Sequence, residues 1–234
     1  MEHKRLTLFA GHYGSGKTNI AVNYALYLAS LGKKVCIADL DIVNPYFRTK
    51  DSAKELEKAG VDLISPQFAN TNVDLPALPA EAYRLVADRE SYGIMDIGGD
   101  DRGAYALGRY VPSILEENDY RMAYVTNCYR PLTRTAEDAL EVMREIEAAC
   151  GLKFTCIINN SNLGTETTLE TVLESLNFIQ KLSEISHLPV FFHTAKADVA
   201  SALQDKLNPV LPLQLQEKYF DLPTQKPVSR PLWG

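Results

Sequence analysis

The sequence predicts an α/β protein with a doubly wound, mostly parallel sheet and helices on both faces. Short apolar runs, such as residues 6–10 and 35–38, alternate with amphipathic helical patterns along most of the chain. Continuous apolar runs of this length are typical of strands buried on both faces of a parallel sheet. The 234 residues, 46% of them apolar, suffice for one full core. We therefore expect one domain over residues 1–208 and an extended, proline-rich C-terminal tail over residues 209–234 packed on it.

The predicted elements follow one another in a regular order. Strands are expected at residues 6–10, 35–38, 61–64, 92–99, 122–127, 154–160 and 189–194. Helices are expected at residues 19–31, 48–60, from about 80, from 100 through 115, 135–150, 167–186 and 197–206. Five prolines after residue 208 exclude a continuous terminal helix, and Trp233 is a candidate anchor for the tail.

A glycine-rich stretch, GHYGSGKT from Gly11 to Thr18, separates the first strand from the first helix. The spacing G-x-x-x-x-G-K-T between a strand and a helix predicts a phosphate-binding loop. Gly14 and Gly16 let the backbone curl so that successive N–H groups point at one centre that binds anionic oxygens. We expect Lys17 to reach the β/γ-phosphates and the Thr18 hydroxyl to bind Mg2+. The candidate nucleotide ligands in this loop are Gly11, His12, Tyr13, Gly14, Ser15, Gly16, Lys17 and Thr18.

Aspartates follow two further strands of the predicted sheet. Asp39 and Asp41 come at the end of the second strand, and the run Asp96-Ile97-Gly98-Gly99 ends the strand that begins at Tyr92. Parallel strands present their carboxyl ends at one edge of a sheet, where α/β proteins bind ligands. These carboxylates could hold Mg2+ or orient an attacking water, and a glycine N–H after Asp96 could bond a γ-phosphate. A solvated turn at residues 39–41 is the alternative.

The composition excludes several classes of protein. The net charge of −6 argues against a protein built to coat nucleic acid, whose phosphates need a basic face. The four cysteines form no C-x-x-C pair, so buried reduced thiols are expected, with a cluster shared across a dimer as the alternative. The segment before the first strand has none of the features of a signal peptide, and no long apolar span follows. We expect a cytoplasmic protein.

With the loop at 11–18, the Asp39-Leu40-Asp41 strand end and the Asp96-Ile97-Gly98-Gly99 strand end in this order, the chain resembles the ParA/MinD-like branch of P-loop nucleotide hydrolases. The likeness covers roughly residues 5 to 205. It implies a P-loop NTPase fold of the SIMIBI type, with ATP/ADP and Mg2+ as cofactors. It also implies a nucleotide-dependent homodimer, and that the aspartate-rich turn and the D-x-G turn are the two switch segments.

Carried over residue by residue, the resemblance assigns roles to the charged groups. Lys17 and Thr18 would hold phosphate and metal, and Asp39 and Asp96 would support the metal. Asp41 would position the attacking water. Lys17 and Asp41 are thus the candidate catalytic residues.

The turn after residue 158 indicates which nucleotide base the site prefers. In related GTPases this strand ends N-K-x-D, with an aspartate that binds guanine, whereas the corresponding run here is Asn159-Asn160-Ser161-Asn162. The missing carboxylate favours adenine, with Asn159 or Asn160 reading its edge and a turn from His193 to Lys196 lining the base. Arg130, after the strand at 122–127, could touch phosphate; a solvated loop arginine is the alternative.

Two departures from the family pattern limit what the resemblance implies. Members commonly carry K-G-G-x-x-G-K-[ST], and His12 and Tyr13 replace that lysine and the following glycine here. The lysine that reaches across a dimer is therefore missing, and His12, Arg48 or Arg102 could substitute for it. The membrane-targeting members end in an amphipathic helix, which the proline-rich tail cannot form, so no membrane binding is expected.

Three functions stay open from the sequence. The first is an ATP-hydrolysing switch that serves cargo positioning or cofactor-protein maturation through an unidentified protein partner. The second is a small-molecule ligase or kinase resembling dethiobiotin synthetase or cobyrinate amidases, its substrate held by the loop from Gln67 to Pro79. The third is a nucleotide-binding module that never hydrolyses.

Overall fold

Four segments of the chain, residues 2–41, 49–64, 80–99 and 101–215, are described in a computed structural model. They contain one sheet of eight strands, all parallel, in the order β3-β2-β4-β1-β5-β6-β7-β8. The strands are β1 (Leu6–Ala10), β2 (Val35–Leu40), β3 (Asp62–Ile64), β4 (Tyr92–Ile97), β5 (Tyr120–Thr126), β6 (Cys156–Asn159), β7 (Val190–Lys196) and β8 (Val210–Leu213). The predicted α/β fold is confirmed.

Helices connect successive strands. They are α1 (Lys17–Ser30), α2 (Ala53–Lys58), α3 (Arg84–Ala87), α4 (Asp101–Gly108), α5 (Val111–Glu117), α6 (Ala136–Cys150), α7 (Leu169–Glu174), α8 (Leu176–Ser186) and α9 (Ala197–Leu203). Thr135 caps the N-terminus of α6, because its side chain accepts a hydrogen bond from the backbone N–H of Asp138. Within the described segments, no helix has the length and apolar character needed to span a bilayer.

The strand order places a switch in direction beside β1. The chain runs from β1 outward to β2 and β3, returns to β4 next to β1, and then proceeds through β5 to β8 on the other side. Open parallel sheets bind ligands in the crevice outside the carboxyl ends of the strands at such a point. The loop at 11–18 leaves β1 at this position.

Side chains of β1 pack into both hydrophobic layers. Leu6 and Leu8 face the layer formed with α4, α5, α6 and α8, whereas Phe9 faces the layer formed with α1. On that second face Tyr24 of α1 packs edge-on against Phe9 and stacks on Phe192 of β7. Because both faces of β1 are buried, the loop that follows it rests on a rigid base.

Two predicted helices are each divided in the structure. The pattern from 100 through 115 forms α4 and α5, which separate at Tyr110 because Pro112 in the first turn of α5 cannot continue a helix. The pattern from 167 to 186 forms α7 and α8, which meet at Ser175. There the Ser175 hydroxyl donates to the carbonyl of Val172 at 2.7 Å, a local bond that competes with helix continuation.

The last strands also differ from the prediction. The turn expected from His193 to Lys196 is instead the end of β7, which leads directly into α9. The start of the predicted tail forms edge strand β8, and the backbone of Gln214 exchanges two hydrogen bonds with the Asn23 side chain of α1. The rest of the tail, with Trp233, lies outside the described residues.

Candidate nucleotide-binding site

The loop at 11–18 has the backbone of a concave nest. Gly14 and Gly16 have φ values of 77° and 89°, a left-handed region that favours glycine. The N–H of Ser15 donates to the carbonyl of His12 at 3.1 Å, which tightens the turn before α1 begins at Lys17. The first N–H groups of α1 have no partner within the helix, so they point to the same place as the nest.

Two buried side chains of this loop are poised for a ligand. The Nζ of Lys17, a residue only 3% exposed, lies 4.0 Å from Oδ2 of Asp41. The Oγ of Ser15 is buried and has no hydrogen-bond partner among the described residues. A buried hydroxyl without a partner is costly, which is consistent with a polar ligand at this place.

Asp39 and Asp96 lie directly opposite each other in the β2–β4 pair, and both are buried. Burial first, and then the Asp39 carboxylate, raises the pKa of Asp96 to about 7, while Lys17 and a hydrogen bond with Thr18 act in the opposite direction. The backbone N–H of Asp41 donates to Oδ1 of Asp39 at 3.1 Å. Three carboxylates therefore meet at the carboxyl ends of β2 and β4.

Thr49 also joins this cluster, although no motif in the sequence predicts it. Its fully buried hydroxyl donates to Oδ2 of Asp96 at 3.2 Å. Thr49 begins a single 3-10 turn, Thr49–Ser52, directly after residues 42–48, which lie outside the described residues. No spacing relates it to the strand ends, so the pattern held no signal for it.

The residues present fit a magnesium ion bound together with phosphate. Oδ1 of Asp96 is buried and has no hydrogen-bond partner in the described segments, although Oδ2 is bonded. Within those segments no group of three or more His, Cys, Asp or Glu side chains forms a metal cage on its own. Mg2+ in phosphate sites takes only one or two protein carboxylates and completes its shell with water and phosphate oxygens. Thr18, Asp39 and Asp96 match such a partial donor set.

The D-x-G-G turn lies directly on the phosphate loop. A methyl group on Gly99 would lie 2.8 Å from the backbone nitrogen of Tyr13, 2.9 Å from Nζ of Lys17 and 3.0 Å from the carbonyl oxygen of Gly11. A methyl group on Gly98 would lie 3.3 Å from Oδ1 of Asp41. Only glycine permits this approach at position 99, where the backbone touches the groups expected to hold phosphate.

Asn160 connects the other side of the loop to the sheet. Its Nδ2 donates to the carbonyl of Ser15 at 2.6 Å, and its Oδ1 accepts a hydrogen bond from the Thr194 hydroxyl of β7 at 2.5 Å. A methyl group on Gly16 would collide with this amide. Asn160 therefore fixes the outer side of the loop, in addition to any contact with a base.

Asn159 is fully buried and bonded within the fold. Its Nδ2 lies 2.9 Å from the Ser175 hydroxyl and 3.2 Å from Nδ1 of His193, and its Oδ1 accepts from the N–H of Ser161. Burial lowers the pKa of His193. These contacts occupy the amide of Asn159 within the fold. Its role in reading a base stays a prediction.

The turns after β5 and β6 are tied together by Asn127. Its Nδ2 donates to the carbonyl of Asn162 at 3.1 Å, and its Oδ1 accepts from the N–H groups of Tyr129 and Asn162. Asn127 is the polar residue that directly follows the apolar run of β5, and this position was a signal that it links the two turns. Lys196 donates to the carbonyl of Thr165 at 3.1 Å farther along the same edge.

Three side chains could substitute for the missing lysine, and that of His12 lies within the described residues. Its Nδ1 lies 2.9 Å from the carbonyl oxygen of Tyr13, and the Tyr13 side chain is 55% exposed. Arg48, the side chain of Arg102 and the loop from Gln67 to Pro79 lie outside the described residues.

The sheet, its switch point and the loop define the α/β fold of P-loop NTPases. No protein-family model matches the chain, and no curated protein matches it. Solved structures do. The chain is similar to the signal recognition particle receptor FtsY of Elizabethkingia anophelis in complex with GDP, with 16% identity and a TM-score of 0.58 over 93% of this chain and 61% of that one.

Two further structures share the fold. FtsY of Thermotoga maritima is 18% identical with a TM-score of 0.57, over 83% of this chain and 62% of that one. The signal recognition particle 54 kDa protein of Aeropyrum pernix in complex with GDP is 19% identical with a TM-score of 0.53, over 82% of this chain and 41% of that one. The chain thus spans about three fifths of the FtsY structures, and identities this low establish the fold alone.

Proposed function

We propose that the chain is a Mg2+-dependent P-loop ATPase that acts as a nucleotide-dependent switch. In this proposal the loop at 11–18 holds the phosphates of ATP or ADP. Thr18, Asp39 and Asp96 hold the metal, and Lys17 and Asp41 are the catalytic residues. The bound GDP of the FtsY and 54 kDa proteins is a property of those proteins and does not select the nucleotide here.

One observation supports the proposal of a nucleotide-dependent switch. The backbone at Gly99 lies against Lys17 and Tyr13, the groups expected to surround a γ-phosphate. An added phosphoryl group must either bond this turn or displace it, and α4 begins two residues later. The turn therefore differs between the triphosphate and diphosphate states, which is what a switch requires.

The charged groups divide the chemistry. When bound, Mg2+ would neutralise charge on the β- and γ-phosphate oxygens. Lys17 supplies a second positive charge from a buried position, where an electrostatic interaction is stronger than in water. Asp41, 4.0 Å from Lys17, can accept a hydrogen bond from an attacking water and orient it.

Adenine is favoured on the base side. The turn at 160–164, which is tied to the loop through Asn160, contains no carboxylate to accept hydrogen bonds from guanine N–H groups. Its amides can both donate and accept, which suits the edge of adenine. A site that lacks this carboxylate leaves the guanine N–H groups without an acceptor and should therefore bind guanine far more weakly.

Steady ATP turnover by the purified chain, without an added metabolite, tests the proposal. We expect turnover that requires Mg2+ and falls at least about 100-fold in Lys17→Ala, because a phosphate-binding charge is removed. Lys181→Ala, on the surface of α8, is the matched control. Unchanged turnover in Lys17→Ala would rule the proposal out, and turnover only with a carboxylate or amine substrate would instead indicate the ligase or kinase.

A second measurement concerns the ParA/MinD-like homodimer. The mass in solution is compared with ADP and with a slowly hydrolysed ATP analogue. We expect a dimer only with the analogue, since the Gly99 turn lies against Lys17, the residue expected to hold γ-phosphate. A single mass in both states would contradict dimerisation as the output of the switch.

A further inference from the structure

Arg130 stands in a rigid turn beside the phosphate loop. Its backbone N–H donates to the carbonyl of Asn127 at 3.1 Å, and its own carbonyl accepts from the N–H of Thr133 at 3.1 Å. The Thr133 hydroxyl bonds the Asn127 carbonyl at 2.7 Å. The start of this side chain is therefore fixed by the end of β5.

The guanidinium of Arg130 contacts the loop at one point. Its Nε donates to the carbonyl of Gly14 at 3.0 Å. A methyl group on Gly14 would lie 3.6 Å from Nε and 3.8 Å from Cζ, so the guanidinium lies against the loop backbone. The residue is nevertheless exposed, which leaves part of the planar group accessible to a ligand.

The contact lies on the outside of the nest. In a phosphate nest the N–H groups point inward and the carbonyl groups point away. Successive outward carbonyls, those of Gly14 and Ser15, are bonded by Arg130 and by Asn160. Arg130 and Asn160 follow β5 and β6, on one side of β1 in the sheet. Gly99 follows β4, which lies on the other side of β1. Arg130 thus lies on the same side of the loop as Asn160, which is the side proposed above for the base.

We propose that Arg130 forms one wall of the purine site and packs its guanidinium plane on the base of the bound nucleotide. This inference rests on the proposed function and deepens it. Arginine stacks on aromatic rings through its flat, delocalised cation, which lysine cannot do in the same way. The hydrogen bond to Gly14 holds the plane in place before the nucleotide arrives, so less rotamer freedom is lost on binding.

The test compares two probes, Mg·ADP, which has a base, and inorganic tripolyphosphate, which has none. We expect Arg130→Ala to weaken Mg·ADP binding about tenfold, the usual effect of losing one stacked base, and to leave tripolyphosphate within about twofold. Arg130→Lys, which keeps the charge without the plane, should also weaken Mg·ADP. Arg134→Ala, an exposed arginine in the same turn, is the matched control and should change neither affinity.

Each other outcome overturns the inference in a distinguishable way. Equal losses for both probes would make Arg130 a phosphate ligand, and unchanged Mg·ADP affinity in Arg130→Ala would remove it from the site. Full affinity in Arg130→Lys would mean that charge rather than stacking matters. If the unaltered chain binds neither probe, the proposed function fails together with the inference, whereas binding by the unaltered chain leaves the proposed function standing.

Discussion

The two sides of the phosphate loop are built on different principles. On the β2–β4 side three carboxylates are crowded at the strand ends, the pKa of Asp96 is raised to about 7, and Oδ1 of Asp96 has no hydrogen-bond partner among the described residues. On the β5–β7 side, amides and hydroxyls such as Asn160 and Thr194 bond one another and the loop. The carboxylate cluster is electrostatically unfavourable without a ligand, whereas the amides of Asn159 and Asn160 and the Thr194 hydroxyl already have hydrogen-bond partners.

The difference indicates a division of labour. A buried like-charge cluster costs free energy in the empty protein and regains it when a cation and phosphates bind, so the β2–β4 side contributes ligand-dependent stability. A satisfied network contributes stability at all times and holds the loop in its binding conformation. Substitutions on the two sides should therefore have opposite effects on the empty protein.

The largest effect is expected on binding, at the point where the β4 edge meets the loop. Gly99→Ala places a methyl group 2.8 to 3.0 Å from Tyr13, Lys17 and Gly11, so the loop or the turn must shift. We expect Mg·ATP binding to weaken by about 100-fold or more, measured by calorimetric titration. Gly108→Ala in α4, where the nearest atom is 3.9 Å away, is the control. Equal affinity in the two variants would mean that the turn does not adjoin bound phosphate.

Asp96→Asn separates stability from function on the β2–β4 side. A raised pKa in the folded state stabilises the protein below pH 4 and loses that stabilisation as pH rises through about 7. In urea denaturation at pH 8, the free energy of unfolding of the empty variant should therefore exceed that of the unaltered protein by roughly 1–4 kcal/mol. The difference should be smaller in acid. The variant should also lose the Mg2+ dependence of nucleotide binding. A destabilised variant at pH 8 would contradict the electrostatic account of this side.

Asn160→Ala tests the satisfied side. The substitution removes the hydrogen bond to the carbonyl of buried Ser15. It also removes one of the two acceptors of the Thr194 hydroxyl, which keeps its bond to the Asn159 carbonyl. We expect the free energy of unfolding of the empty protein to fall by about 1–3 kcal/mol in urea denaturation, the reverse of Asp96→Asn. Gln180→Ala on the exposed surface of α8 is the control. A stability equal to that of the control would mean that the network does not hold the loop.

The smallest effect concerns pH on the β5–β7 side. Burial lowers the pKa of His193, so the folded protein favours its neutral form, which bonds Asn159. The stabilisation from His193 is present above pH 6.5 and is lost as pH falls through the lower folded value. Proton NMR titration of the empty protein should therefore place this pKa below 6.5. A value above 6.5 would show that a charged His193 is favoured there.

The sequence predicted what depends on local pattern. The loop at 11–18 is encoded by its spacing, and the strand ends at Asp39 and Asp96 follow from apolar runs followed by carboxylates. What it did not predict depends on tertiary contact. Thr49 reaches Asp96 across 47 residues, and Arg130 reaches Gly14 across 116. Proline content made residues 209–213 read as a tail, although an edge strand accepts proline.

Titration of Mg·ADP into the purified chain and into Lys17→Ala tests the central claim most directly. We expect one ADP bound per chain, weaker binding without Mg2+, weaker binding of GDP, and a loss of at least about 100-fold in Lys17→Ala. Lys17 is a buried cation beside Asp41 and the Gly99 turn, where the phosphates are expected, so its removal should affect every arm of the experiment. Undetectable binding by the unaltered chain, or equal binding by Lys17→Ala, would contradict the account.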